Sequence, residues 1–469
     1  MHQLVAEAGV SSRRWWVLAI VVTAQFMFGL DIFIVNVAIP TIAAELHAGP
    51  AEIESIVAVY LIAYATLIVT GGRLGDIYGA KGVFIFGVIG FTLTSIWCGL
   101  ARSGVELILA RLVHGATAAL MVPQVLATIH VLFPDRYRDR AFAIYGTALG
   151  LSGAAGFLLG GFLVGMDIAG AGWRAVFFVS LPVGALIAVL AFQIMPSVPR
   201  RKGTRLDIPG AIVLFTGLLC LIGPLLFGHD VHWAPWVWLV MLTGLGIVAL
   251  FFQLEHRVAR DGGMPLVDLA LLSDRAFMRG LCAAFFFFCS NLSFYLVVTL
   301  FMQNVLHVPP QASGLAFVPL VLAFVFALRQ SAVWAQRRGT RVLIEGCLIM
   351  IAGLVALVAL VAGINPPSLI WLSVVLMIFG FGQGLVMAPL SSAVLSTVHP
   401  ASAGSGAGMY GTATQIANAV GVAVSGAVFF SIQAQYSSIS ALFACLALFA
   451  GSAAVSILFL IWMRSARSV

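Results

Sequence analysis

Three residues in the first quarter of the chain have side chains suited to proton chemistry at bilayer depth: Asp31, Arg111 and His114. Asp31 lies in the middle of an apolar segment over residues 15–40, and Arg111 and His114 lie in another over 105–132. An ionised carboxylate at that depth costs at least ~2.5 kcal/mol on insertion scales, so it faces a partner or a water-filled path and marks function. Burial favours the neutral acid, whereas a neighbouring guanidinium favours the carboxylate. A conformational change that alters the separation or hydration of Asp31 and Arg111 would therefore switch proton uptake and release. The alternative is a static ion pair that holds two helices together. His114 follows Arg111 by three residues and shares a nearby helix face. An imidazole, with an unperturbed pKa near ~6.5, suits a proton relay; a neutral imidazole would only hydrogen-bond.

The elements that must position these residues are membrane-spanning helices. Hydrophobic residues make up 62% of the chain and charged residues 9%, with a mean hydropathy of +1.10. Such a chain is an all-α integral membrane protein. Its apolar stretches are about 20 residues long, the length a spanning helix needs, and lack the polar–apolar alternation of a β-barrel. The pattern predicts fourteen spans, at 15–40, 52–71, 82–101, 105–132, 140–165, 174–195, 208–227, 234–254, 277–302, 311–335, 341–362, 368–397, 402–431 and 438–463.

Of the 24 Lys and Arg residues, Arg111 lies inside a span and only Arg102 and Arg174 fall in the loops of one side. The rest crowd the other side, which is therefore cytoplasmic and carries both termini. The net charge of +7 thus reflects topology and anionic lipid, with no sign of nucleic-acid binding. The first apolar stretch follows Arg13-Arg14 directly and is too long for a cleavable signal, so it is expected to stay as a signal anchor. All six cysteines fall in predicted spans without metal-ligand spacing and read as packing residues. His229 and His232, with Asp230 between, have a spacing that suits a metal, but the reading is solvated loop residues and no metal site.

With span 1 running outward, Asp31 is nine residues before Pro40, or ~13 Å, and Arg111 is six residues from Val105, or ~9 Å, at ~1.5 Å per residue. The two charges share a depth. Asn36 and Gln124 are polar positions in the same spans that could line a cavity or pack. The turn GGRLGDIYGAKG, residues 71–82, has an echo in WAQRRGTR, residues 334–341, which implies two related halves. Residues 1–199 and 277–469 would each form a six-helix bundle, with residues 200–276 contributing connectors and two inserted spans. Glycines at 146, 150, 153, 156, 160 and 161 permit close helix approach in the fifth span.

Several motifs in order carry a resemblance: LDIFIVNVAIP at 30–40, the turn at 71–82, RLVHG at 111–115, GFLLGG at 156–161 and WRAVFFVSLPVG at 173–184. On these the chain resembles the fourteen-span drug:proton antiporters of the EmrB and QacA type, within the major facilitator superfamily. The resemblance implies that fold, with spans 1 and 4 adjacent at a central cavity. It also implies a conformational latch at Gly72, Gly75, Asp76, Gly79 and Lys81, although Ile77 and Ala80 stand where basic residues are usual. Asp76 could cap a helix N-terminus or pair with Arg136 or Arg138. Gly156, Gly160 and Gly161 match the antiporter motif, with Phe157 in place of its proline, and His114 replaces a usual Gln. Gln415 and Asn418 resemble the family's Asn…Arg-Gln pattern, with Gly411 and Thr414 where its Asn and Arg would stand; the two would contact substrate or, the reading favoured for either alone, hydrogen-bond between helices.

The function expected is proton-coupled export of lipophilic organic compounds by alternating access. Spans 9–14 hold no deep acidic residue, which favours neutral or weakly anionic substrates over multivalent cations. The chain has no GxxxxGK[ST] loop, so the expected energy source is the proton gradient, without a cofactor. The runner-up is a substrate:proton symporter or uniporter, and from another class a non-transporting membrane sensor; an enzyme is disfavoured because no nucleophile–base or metal constellation lies on the spans. In a host with two membranes the resemblance allows a periplasmic adaptor and an outer-membrane channel as partners.

Overall fold

In a computed structural model of the chain, the structure describes residues 2–133, 135–167, 170–196, 206–263, 265–364, 366–399 and 403–465. Every regular element among them is helical. Fourteen helices are long and apolar enough to cross a membrane. In chain order they are α1 Arg13–Leu46, α2 Pro50–Tyr78, α3 Ala80–Leu100, α4 Gly104–Leu132, α5 Arg140–Met166, α6 Gly172–Ile194 and α7 Ile208–Phe227. The remainder are α8 Pro235–Arg260, α9 Arg275–Val305, α10 Pro310–Ser331, α11 Arg341–Gly363, α12 Leu369–Leu395, α13 Ser405–Gln435 and α14 Ser438–Met463.

Local chemistry sets the starts. Ser103 Oγ accepts from the Glu106 amide to cap α4, Asp207 accepts from Gly210 to cap α7, and Asp274 accepts from Ala276 and Phe277 to cap α9. Pro50, Pro235 and Pro310 begin α2, α8 and α10, where a missing amide proton costs nothing.

Among the boundaries that differ from the sequence expectation, two involve residues read as helix breakers. α1 does not stop at Pro40 but runs to Leu46 with the proline inside it. The ring deprives the Asn36 carbonyl of its helical donor, a loss that a helix packed among neighbours tolerates. The segment 71–82 is not an extended turn: α2 continues through Tyr78, and the break narrows to Gly79, at φ +97°, before α3 begins at Ala80. Only glycine adopts that backbone without strain.

The helices pack in two groups. α1 lies on α5, α4 and α6, while α3 bridges α4 and α6 and α2 packs on α4. In the second half α9 packs on α13 and α14, α10 on α12, and α11 on α12 and α14. The seam between the groups is formed by α2 against α13, α5 against α10 and α1 against α9. α7 touches both α2 and α13, and α8 leans on α7.

At the basic end, Arg13 Nε donates to the Ile194 carbonyl at 3.0 Å and Lys81 Nζ to the Phe192 carbonyl at 2.8 Å. Two cations thereby satisfy orphan carbonyls at the α6 C-terminus and tie α1 and α3 to it. At the opposite end Arg174 pairs with Glu45 and donates to the Ala101 carbonyl at 3.1 Å. In the connector between α7 and α8, Asp230 and His232 are exposed as expected of a solvated loop, but the His229 side chain is 8% exposed and stacks on Phe430 of α13 with ring centroids 5.7 Å apart. Among the described residues no cluster of three or more His, Cys, Asp or Glu could hold a metal. The basic run at residues 200–205 lies outside the described residues.

Neighbouring glycines give a sharp contrast. A Cβ on Gly71 would lie 2.0 Å from the Ala119 carbonyl oxygen, whereas one on Gly72 would meet nothing closer than 3.8 Å. Gly71→Ala is therefore expected to lower the melting temperature of the purified protein by several degrees and Gly72→Ala to leave it unchanged, as measured by fluorescence-detected thermal denaturation.

Candidate functional site

The structure brings Asp31 and Arg111 into contact. Arg111 Nη1 donates to Asp31 Oδ2 at 2.7 Å, with the side chains 2% and 1% exposed. The depth bookkeeping from the sequence does not hold as written, because α1 extends past α4 at the arginine-poor end. Asp31 lies 15 residues from Leu46, or ~22 Å, and Arg111 seven from Gly104, or ~10 Å. The pair meets because α1 overhangs its neighbour by about two turns.

Three further groups fix the guanidinium. Its Nε donates to the Ile56 carbonyl of α2 at 3.2 Å, and its plane covers the Tyr60 ring at 4.1 Å. Its Nη1 is also 3.2 Å from His114 Nδ1. A guanidinium only donates, so Nδ1 accepts and the imidazole is neutral, holding Arg111 in place. His114 Nδ1 is 3.9 Å from Asp31 Oδ1, and its ring packs 4.0 Å from Phe91. Arg111 thus ties α1, α2 and α4 together through one planar group whose other attachments pre-organise it for the carboxylate.

Two residues beyond Asp31, Phe33 enters an aromatic cluster that spans the seam. Phe33 lies 5.5 Å from Phe157 of α5 and 5.6 Å from Tyr295 of α9. Phe157 stacks on Phe317 of α10 at 4.4 Å and lies 5.1 Å from Tyr295. Phe157, which replaces the motif's proline, is fully buried and joins both bundles. Behind the cluster Tyr295 Oη donates to Gln383 Oε1 at 2.7 Å, and Gln383 Nε2 donates to Asn291 Oδ1 at 2.8 Å. Asn291 Nδ2 is left without a partner.

The remaining sequence candidates separate by location. Gly156 and Gly160 face α1, at Phe33 and Ile34, whereas Gly161 faces the Pro310 carbonyl of α10 across the seam. Asn36 is fully buried and donates to its own helix at the Ile32 carbonyl, 2.8 Å away, with Oδ1 unpartnered. Gln124 does not lie with the charge pair: its Nε2 donates to the Gly71 carbonyl at 2.8 Å and its amide packs on Gly75, locking α4 to α2. Gln415 and Asn418 pair with each other on α13 at 3.3 Å, half-buried, with Asn418 Oδ1 free of a partner. In the latch segment Gly79 makes the break and Lys81 binds α6. Asp76 lies on α2 within the field of Arg73, whose guanidinium donates to the Pro265 carbonyl. The side chains of Arg136 and Arg138 lie outside the described residues.

Sequence reading missed Tyr60, Tyr295 and Phe317. Each is an aromatic in an apolar span, a residue type that faces lipid by default, and only the fold shows which few face the seam. Tyr295 did carry a signal, since it follows Asn291 by one helical turn.

A family model described as the Major Facilitator Superfamily matches residues 21–422. The chain is 34% identical over 424 residues to a probable actinorhodin transporter of Streptomyces coelicolor, covering 90% of this chain and 73% of that protein. It is 33% identical to the cephamycin export protein CmcT of Amycolatopsis lactamdurans, covering 87% of this chain and 83% of the other. It is 30% identical to the tetracenomycin C resistance and export protein of Streptomyces glaucescens, covering 90% and 77%. Among solved structures the fold matches a POT family transporter in complex with 5-aminolevulinic acid, with a TM-score of 0.69 and 14% identity over 96% of each chain. It also matches a bacterial homologue of the human lysosomal transporter Spinster, with a TM-score of 0.63 and 16% identity over 96% and 95%.

Breaking a buried pair by removing one partner costs about 3–5 kcal/mol, because the other charge is stranded. Arg111→Met is therefore expected to lower thermal stability far more than the Asp31→Asn/Arg111→Met double variant, in detergent at neutral pH. The deficit of Arg111→Met should shrink as the pH falls, because acid neutralises the stranded Asp31.

Proposed function

This chain belongs to the Major Facilitator Superfamily, and on that premise we propose that it exports lipophilic organic compounds in exchange for protons. The observation that carries the proton part is the buried Asp31–Arg111 pair. As a transporter the chain moves its substrate unchanged, so no enzymatic conversion is assigned to it. The basic end is cytoplasmic by the positive-inside rule, which puts both termini in the cytoplasm and the protein in the plasma membrane.

The geometry supplies a coupling route. In the arrangement seen here Asp31 Oδ2 accepts a hydrogen bond from Arg111 Nη1. A proton on Asp31 removes the charge that holds Arg111, leaving the guanidinium with the Ile56 carbonyl, the Tyr60 face and His114. The bond between α1 and α4 is then weakened, and α1 is free to shift with Phe33. Phe33 contacts Phe157 and Tyr295, so a shift of α1 is felt where the two bundles meet. Protonation at one site thereby biases the rocking of one bundle on the other.

Substrate class follows from the relatives' names and from the second bundle. Two of the relatives are by name a cephamycin export protein and a tetracenomycin C resistance and export protein, which supports organic compounds of that kind. In α9–α14 the carboxylate Glu345 is half-exposed and pairs with Arg338 at 3.2 Å at the basic end. The buried polar groups further in are the uncharged Asn291, Tyr295 and Gln383. Stacking on aromatic rings and hydrogen bonding to amides suit neutral or weakly anionic substrates.

In proteoliposomes with a pH-sensitive dye inside, an exported compound from a lipophilic panel is expected to drive proton movement against its own flux. Asp31→Asn should cut that movement at least tenfold while leaving substrate binding measurable. Substrate flux in the wild-type protein with no accompanying proton movement would overturn the exchange reading.

A further inference from the structure

A second carboxylic acid lies at the outer end of the bundle seam, and the exchange cycle above does not use it. Glu54 is one turn into α2, four residues from Pro50 or ~6 Å along the axis. It is fully buried, and neither carboxyl oxygen has a hydrogen-bond partner. The carboxyl presses on the backbone of Gly426 of α13, where a Cβ on that glycine would come 2.1 Å from Glu54 Cδ. That contact joins one bundle to the other, and the glycine is what leaves room for it.

Among the described residues the groups around Glu54 offer it no compensating cation. Asp230 on the α7–α8 connector is the charged residue that bears on it. His229, 3.0 Å from Asp230, is pushed below the ordinary imidazole range by burial, with Asp230 opposing the shift. Burial thus favours the neutral imidazole, which stacks on Phe430 of α13, four residues along the helix from Gly426. Cys445 of α14 is the other titratable neighbour. On α2 itself Glu52 turns towards α4, packs on Gly104 and accepts from the Gly49 amide. A carboxylate in this setting would bear the full cost of desolvation without a donor to offset it. In the closed seam Glu54 therefore holds its proton.

We propose that Glu54 is a second proton-binding site of this chain, loaded from the outer side as α2 closes on α13 and emptied to the outer side as they part. The inference rests on the alternating-access reading above. Because its proton returns to the side it came from, Glu54 moves no charge across the membrane. It makes closure of the outer seam depend on outer pH: acid favours the closed arrangement, and alkali favours the open one, in which water reaches the carboxylate.

The test is the distance between spin labels at positions 47 and 436, which lie on exposed outer segments of the two bundles. Both are placed on a background lacking the six native cysteines, in nanodiscs, and read by double electron–electron resonance from pH 5 to 9. One proton-linked step changes a population ratio by at most about tenfold per pH unit. The open-to-closed ratio of the otherwise native protein is expected to rise towards that limit with pH. Glu54→Gln should stay closed throughout, and Glu54→Asp should recover the pH dependence. A Glu54→Gln profile that follows the native one, or a native profile flat in pH, overturns the proposal. If the pH dependence disappears in Asp31→Asn and persists in Glu54→Gln, the proposal fails while proton exchange through Asp31 stands.

Discussion

A charge pair buried at bilayer depth constrains everything around it. Asp31 and Arg111 must stay within hydrogen-bond distance or Asp31 must take up a proton, because a lone carboxylate is costly in that environment. The helices that carry them cannot drift: α1, α2 and α4 are tied by the single guanidinium through Asp31, the Ile56 carbonyl and the Tyr60 ring. His114, neutral and accepting, completes the enclosure from the same helix as Arg111. On the proposed exchange reading such a cluster alternates between a paired and a protonated arrangement, which is what a switch needs.

On the same proposed reading the seam between the bundles converts that local choice into a shape. Phe33 sits two residues from Asp31 on α1 and meets Phe157, Tyr295 and, through them, Phe317. Rings packed at these distances slide or separate more readily than a hydrogen-bonded network would, and Phe157 gives the fifth span a bulky contact where its motif usually has a bend. The glycines set how closely the backbones come: Gly161 lets α5 reach the start of α10, and Gly426 lets α13 cover Glu54. The inserted helices contribute through α7, which touches α2 and α13, and through a connector whose His229 stacks on Phe430 of α13.

Much of this was legible in the sequence. Composition and apolar length reveal fourteen helices because lipid demands them, and charge at depth singles out Asp31 and Arg111 because lipid penalises it. Helix ends with a strong local signal, such as Asp207 before α7, fall where expected. The misplaced ends share one cause: Pro40 and the glycines of residues 71–78 read as breakers, yet packed neighbours hold them in helix. For Gln124 the sequence leaves cavity lining and packing both open. A polar residue in a span must satisfy its amide somewhere, and only the crossing of α2 and α4 shows that it does so at Gly71. Glu54 was overlooked because a carboxylate near a predicted helix start looks like an exposed cap, a role that Glu52 fills two residues earlier.

The most direct measurement of the central claim is infrared difference spectroscopy of substrate binding, which observes the carboxyl group itself. On adding substrate to protein over a series of acid pH values, the band of a neutral carboxylic acid should disappear in step with binding, and this loss should be missing from Asp31→Asn. An unchanged carboxylic-acid region on binding, or the same loss in Asp31→Asn, would contradict the claim that transport is coupled to protonation of this residue.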